Sequence, residues 1–209
     1  MRSRFALAAI AALVVATPVR AAPALADDPP AAPDAAQPAP DGPPPTPAAF
    51  LTKVFTDACL PNLGNPAAVQ AWATAHELTE IKEAAPLAVF VGPGGTGGSA
   101  WGISTPIGDF VLATRASTQA CAVYARAADP AKVEESFTTL VKDGMRPGLT
   151  MSTDTDTHTP SPYGQVHTLA YTITAASAPT SLHFMMIAVE KPGGGFQATM
   201  QGTRAGPTP

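Results

Sequence analysis

Apolar residues recur in two rhythms along this chain, and the change from one to the other divides it into elements. Phe50, Leu51, Val54, Phe55 and Ala58 fall at helical spacing behind Thr46-Pro47. A capping side chain followed by proline opens a helix, because the first helical N–H has no partner to lose. This helix delivers Cys59 in its last turn and stops at Leu60-Pro61. Asn65-Pro66 and Asp129-Pro130 repeat the opening signal. The second helix places Val69, Trp72, Ala73 and His76 on one face and is predicted to run toward Ile81, with Pro86 ending it. The third carries Val133, Phe137, Leu140 and Val141, and Gly144 stands where a left-handed C-terminal cap belongs.

Elsewhere the period falls to two, in runs rich in Val, Ile, Thr and aromatics bounded by Gly, Pro and Ser. Strands are predicted near 87–91, 100–104, 110–115 and 119–127, and, after the third helix, near 149–155, 165–175, 182–190 and 196–203. The links at 106–108, 178–179 and 192–195 are short and turn-like, so neighbouring strands should be antiparallel. The expected fold is therefore α+β, an antiparallel sheet with about three helices packed on it. Leu182 to Val189 is a strongly apolar strand with large residues on both faces, which fits a central strand or a strand with one face against a partner.

The first 47 residues follow neither rhythm. Arg2 and Arg4 precede an apolar run from Phe5 to Ala16, which ends too early to span a bilayer and has the form of a secretory signal peptide. Small residues at Ala21 and Ala26 mark two cleavage positions. Between Pro23 and Pro47, ten of 25 residues are proline and seven alanine, a composition that cannot bury a core and predicts an extended, disordered linker. The expected organisation is a signal peptide over 1–26, a linker over 27–47, one domain over 48–204 and a disordered tail over 205–209. A periplasmic or secreted location follows, with no membrane insertion after cleavage.

Without Arg2, Arg4 and Arg20, nine Lys and Arg face 16 Asp and Glu, a net charge of −7 with no basic stripe. Nucleic acids are thereby disfavoured as partners. Two cysteines in an exported chain pair most simply with each other, so Cys59 and Cys121 are expected to form a disulfide that ties the first helix to the sheet.

Candidate chemistry is sparse. Gly92-Pro93-Gly94-Gly95-Thr96-Gly97 matches GxGxxG in form but leads toward a strand rather than a helix, so a flexible loop is the simpler reading than a phosphate cradle. Gly94, Gly95, Thr96, Ser99 and Trp101 are retained as candidate ligand- or partner-binding residues of that loop. His76-Glu77-Leu78-Thr79-Glu80 begins like HExxH but has glutamate where the second histidine ligand must stand. Asp154, Asp156 and His158 alternate at period two and would leave one strand face together, a weak metal-site candidate beside the reading of a solvated strand face. Ser99 with His167 or His183 and an aspartate is the corresponding candidate for nucleophilic catalysis, but Ser99 lacks the strand-to-helix elbow. No cofactor or catalytic residue is assigned.

Phe55-x-x-x-Cys59-Leu60 in the opening helix, the tryptophan helix, Trp101-Gly102 and Cys121-Ala122-Val123 together resemble small exported proteobacterial proteins of unknown function, some described in neisserial genomes as lipoproteins. The likeness spans about Phe50 to Gly202, although this chain has no cysteine at the cleavage site to accept lipid. It implies a periplasmic domain without an assigned activity. The sequence thus predicts a non-enzymatic binding or envelope-accessory domain, monomeric or weakly dimeric, whose partner is a protein or envelope component. A periplasmic hydrolase, and an inhibitor or immunity protein using the loop from Val91 to Ser99, are the rival readings.

Overall fold

The eight strands among the described residues join one antiparallel sheet in the order β1-β2-β3-β4-β8-β7-β6-β5. The computed structural model describes residues 45–95, 97–193 and 195–206; the predicted signal peptide, most of the linker and the last three residues lie outside them. The elements run α1 (Pro47–Val54), α2 (Pro66–Ala75), β1 (Thr79–Glu80), α3 (Ala84–Val91), β2 (Gly98–Thr105), β3 (Gly108–Arg115) and β4 (Ala120–Ala125). Then follow α4 (Pro130–Asp143), β5 (Leu149–Ser161), β6 (Gly164–Ala175), β7 (Ser181–Val189) and β8 (Ala198–Ala205). Each half is an up-and-down meander, and the halves meet where β8 pairs with β4.

The three proline-opened helices begin where their caps dictate. Thr46 Oγ1 accepts from the Ala49 N–H at 3.2 Å and Asn65 Oδ1 from Ala68 at 3.2 Å. Asp129 Oδ1 takes the N–H groups of Ala131 and Lys132. Helix α1 continues through a π-turn over Phe55–Cys59 and a 3-10 turn over Leu60–Asn62.

Three expectations are corrected. The run predicted as a strand over 87–91 belongs to helix α3, with Pro86 in its first turn, where the ring costs no hydrogen bond. Helix α2 accordingly stops at Ala75; Glu77 turns the chain at φ 54° and Thr79–Glu80 pairs with the edge of β2. Gly144 does close α4, but at φ −71°, in the right-handed region.

Cross-strand register shows what the two sheet faces are for. One row runs Trp101, Leu112, Val123, Met200, Met186, Leu169. It is buried under α1, α2 and α4, whose Leu51, Phe55, Val69, Val133 and Phe137 share the same core. Phe137 stacks on Tyr171, ring centroids 5.8 Å apart. The opposite face carries a smaller core in which Phe90 and Val91 of α3 meet Ala100, Val111 and Ala113. Beyond β4 no helix among the described residues covers that second face, and its Met185, Ile187, Ala170 and Gln201 stand half-buried.

Cys59 and Cys121 are joined by a disulfide with Cα atoms 5.4 Å apart, fixing the end of α1 to β4. Among the described residues, no helix is long and apolar enough to cross a membrane.

Candidate functional sites

The apolar rows under the helices change character at the β5 edge. The row through Met186 and Leu169 ends on Asp156, and the next, Ala125, Ala198, Ala188, ends on His167 and then His158. His158 and His167 are directly opposed, and their rings stack at 4.1 Å with an interplanar angle of 14°. His167 Nε2 lies 2.9 Å from Asp156 Oδ1, and its Nδ1 lies 3.2 Å from Glu134 Oε2 of α4. The His167 side chain is only 11% exposed, whereas both carboxylates reach solvent. A hollow of about 240 Å3 opens here, lined by Glu134, His158, His167, Gln165, Ala188 and Glu190.

Asp154 does not join this group. A bulge between Thr153 and Thr155 inserts one unpaired residue into β5, so Asp154 points to the other face and the expected Asp154–Asp156–His158 trio is split. There Thr172 donates its hydroxyl to Asp154, and His183 Nδ1 lies 2.8 Å from Thr172 Oγ1. Ser181 Oγ approaches His183 Nε2 at 3.0 Å. The chain Ser181, His183, Thr172, Asp154 has the order of a nucleophile, base and acid. It lies at the start of β7 on the sheet face opposite the main helix layer, where Ser181 pairs with Thr174 and Ala205 in the ladder.

Ser99 is remote from every histidine named with it. Five strand spacings separate β2 from β6, about 24 Å. His183 is four spacings away and on the opposite face. Trp101 is buried at 3% exposure in the main core and offers no surface to a ligand, which removes it from the candidate binding loop. In that loop Gly94 and Gly97 take φ of 82° and 95°, and Thr96 lies outside the described residues. A Cβ on Gly98 would approach the Thr114 carbonyl to 2.2 Å, so this glycine serves close backbone contact rather than phosphate binding. His76 stacks on Trp72 and bonds its carbonyl, as part of a helix end.

A second hollow was not visible in the motifs. At the far end of the helix layer, Leu60 and Leu63 behind α1, Leu140 and Val141 of α4 with its cap Gly144, and Leu149, Ile173, Leu182 and Phe184 of the sheet surround an apolar cavity of about 240 Å3. It shares five of these residues with a wider mouth of about 350 Å3, where Arg204, Thr174 and Thr180 supply the polar rim. Leu60, Leu63, Leu140, Leu149 and Leu182 are each only partly buried around it.

Comparison with protein-family models, curated proteins and solved structures gave no match.

Proposed function

We propose that this chain is an exported, non-enzymatic binding domain, and that its ligand is a small apolar or amphiphilic molecule taken into the leucine-lined cavity. The observation that carries this reading is the set of five incompletely buried leucines around one hollow with a single cation, Arg204, at its mouth. Water against that surface costs free energy at roughly 25 cal/mol per Å2, which an apolar occupant relieves. Few, convergent polar groups at the rim of an apolar cavity are the usual arrangement of a ligand site, the cation fixing the acidic end of an amphiphile. The disulfide is compatible with the oxidising compartment that the predicted signal peptide implies.

The test uses a fluorescent apolar probe, displaced by a medium-chain carboxylate such as decanoate. Saturable displacement is expected, weakened in Arg204→Ala and abolished in Leu149→Trp, which fills the cavity. Absence of saturable displacement, or equal behaviour of both variants and wild type, overturns the reading. The hydrolase alternative rests on Ser181 and His183; a fluorophosphonate that stably labelled Ser181 would establish it instead.

A further inference from the structure

We infer that Asp156, His158 and His167 form a binding site for a divalent transition cation of the zinc and copper(II) class, supported from behind by Glu134. This inference is independent of the apolar cavity, which lies elsewhere on the domain. One donor atom from each of the three residues lies within 4.8 Å of the other two. Metal–ligand distances of about 2.0–2.1 Å in tetrahedral geometry set donors about 3.3 Å apart. Asp156 Oδ1 and His167 Nε2, 2.9 Å apart, already meet that spacing to within a few tenths of an ångström. His158 is exposed on the edge strand, and its ring closes the remaining distance by turning out of its stack on His167.

The arrangement behind His167 is what separates this cluster from a chance polar edge. A ligating histidine characteristically gives its other nitrogen to a carboxylate, which fixes the ring and its tautomer. Glu134 stands at His167 Nδ1, 3.2 Å away, leaving Nε2 directed at Asp156. The ring is held from α4 and by burial while the other two donors sit at the solvent edge. Two imidazoles and one carboxylate favour a borderline transition ion over calcium or magnesium, which prefer oxygen ligands throughout. Three protein donors leave a fourth position on the side of the hollow lined by Gln165 and Glu190.

Titration calorimetry of the untagged mature protein with zinc chloride, copper(II) chloride and calcium chloride tests this. One equivalent of zinc and of copper(II) should bind, copper more tightly, and calcium should give no saturable heat. His158→Ala should weaken zinc at least about 100-fold, and Asp156→Asn provides a second variant at an exposed position. Glu134→Gln should weaken it about 10- to 100-fold, the usual effect of removing such a supporting group. His183→Ala, on the other face, should leave affinity unchanged. Failure to bind one equivalent of zinc, unchanged affinity in folded His158→Ala and Asp156→Asn, or calcium binding as tight as zinc overturns the inference.

Discussion

Consider the mature protein with the Cys59–Cys121 bond reduced and no other change. The bond closes a loop over a sequence separation of 62. Chain-entropy arithmetic gives a loss of about 14 cal/mol/K for the unfolded chain, or about 4 kcal/mol at 25 °C. Domains of this size have a total stability of about 5–15 kcal/mol, so reduction removes a large share. Both cysteines are fully or almost fully buried, at 0% and 2% exposure, and as thiols they remain small apolar fillers of the same space. The oxidised and reduced forms therefore differ mainly by the cross-link. Urea unfolding followed by tryptophan fluorescence, with and without reductant, measures it. With a denaturant slope of about 2 kcal/mol/M, the midpoint should fall by about 2 M. A fall under about 0.5 M, equivalent to about 1 kcal/mol on the same slope, would show that the unfolded chain is not restrained as the loop argument requires. Cys59→Ala/Cys121→Ala should match the reduced protein or fall somewhat below it, since two sulfur atoms leave the core.

Two glycines in strands make an opposed pair. A Cβ on Gly202 would lie 2.8 Å from Leu63 Cδ2 and 3.2 to 3.3 Å from the rings of Phe55 and Phe184, so Gly202→Ala should destabilise by about 1–3 kcal/mol in thermal or urea melts. Gly102→Ala meets nothing closer than the Thr79 carbonyl at 3.9 Å and should be neutral or slightly stabilising; equal losses at both sites would refute the packing argument. Tyr124 lies against Phe90 and Phe196 beneath α3, and burial pushes its hydroxyl above the ordinary value near 10, with Arg115 partly opposing. Because the folded value is raised, its contribution to stability is full below about pH 10 and is lost as pH rises through the folded value. Absorbance titration at 295 nm should therefore lose its late component in Tyr124→Phe; identical curves would sink this.

The parts of the fold that could be read from sequence are those written in local chemistry. Thr46, Asn65 and Asp129 with their prolines located three helices because cap and first turn are contiguous in the chain. Alternation located seven of the eight strands for the same reason. Helix α3 was missed because Leu87-Ala88-Val89-Phe90-Val91 is apolar throughout, and a short uniform run carries no period to tell helix from strand. Strand β1 has two residues and no pattern at all.

The histidine cluster was half legible. Ser161 pairs with Gly164 across a two-residue turn, and counting back from it places His158 opposite His167. That turn was the available signal. The bulge at Asp154 was not available, since it shifts register with no change in the alternation of residue types, and Glu134 is brought in only by the tertiary packing of α4. The apolar cavity was equally hidden, because its leucines are scattered over the turn behind α1, helix α4 and strands β5 and β7.

The seam between β4 and β8 has a consequence in time. The disulfide loop encloses only the first half of the domain, through β4, and β8 arrives some 80 residues later to pair Cys121 with Gly202. A chain emerging from its N-terminus can therefore close its covalent loop while β4 is still an open edge, and contacts of such long separation form slowly. Until β8 is made, the Cys121 to Ala125 border of β4 has no native strand to pair with on that side. Covalent closure of the domain and the sealing of its sheet thus both converge on one short strand.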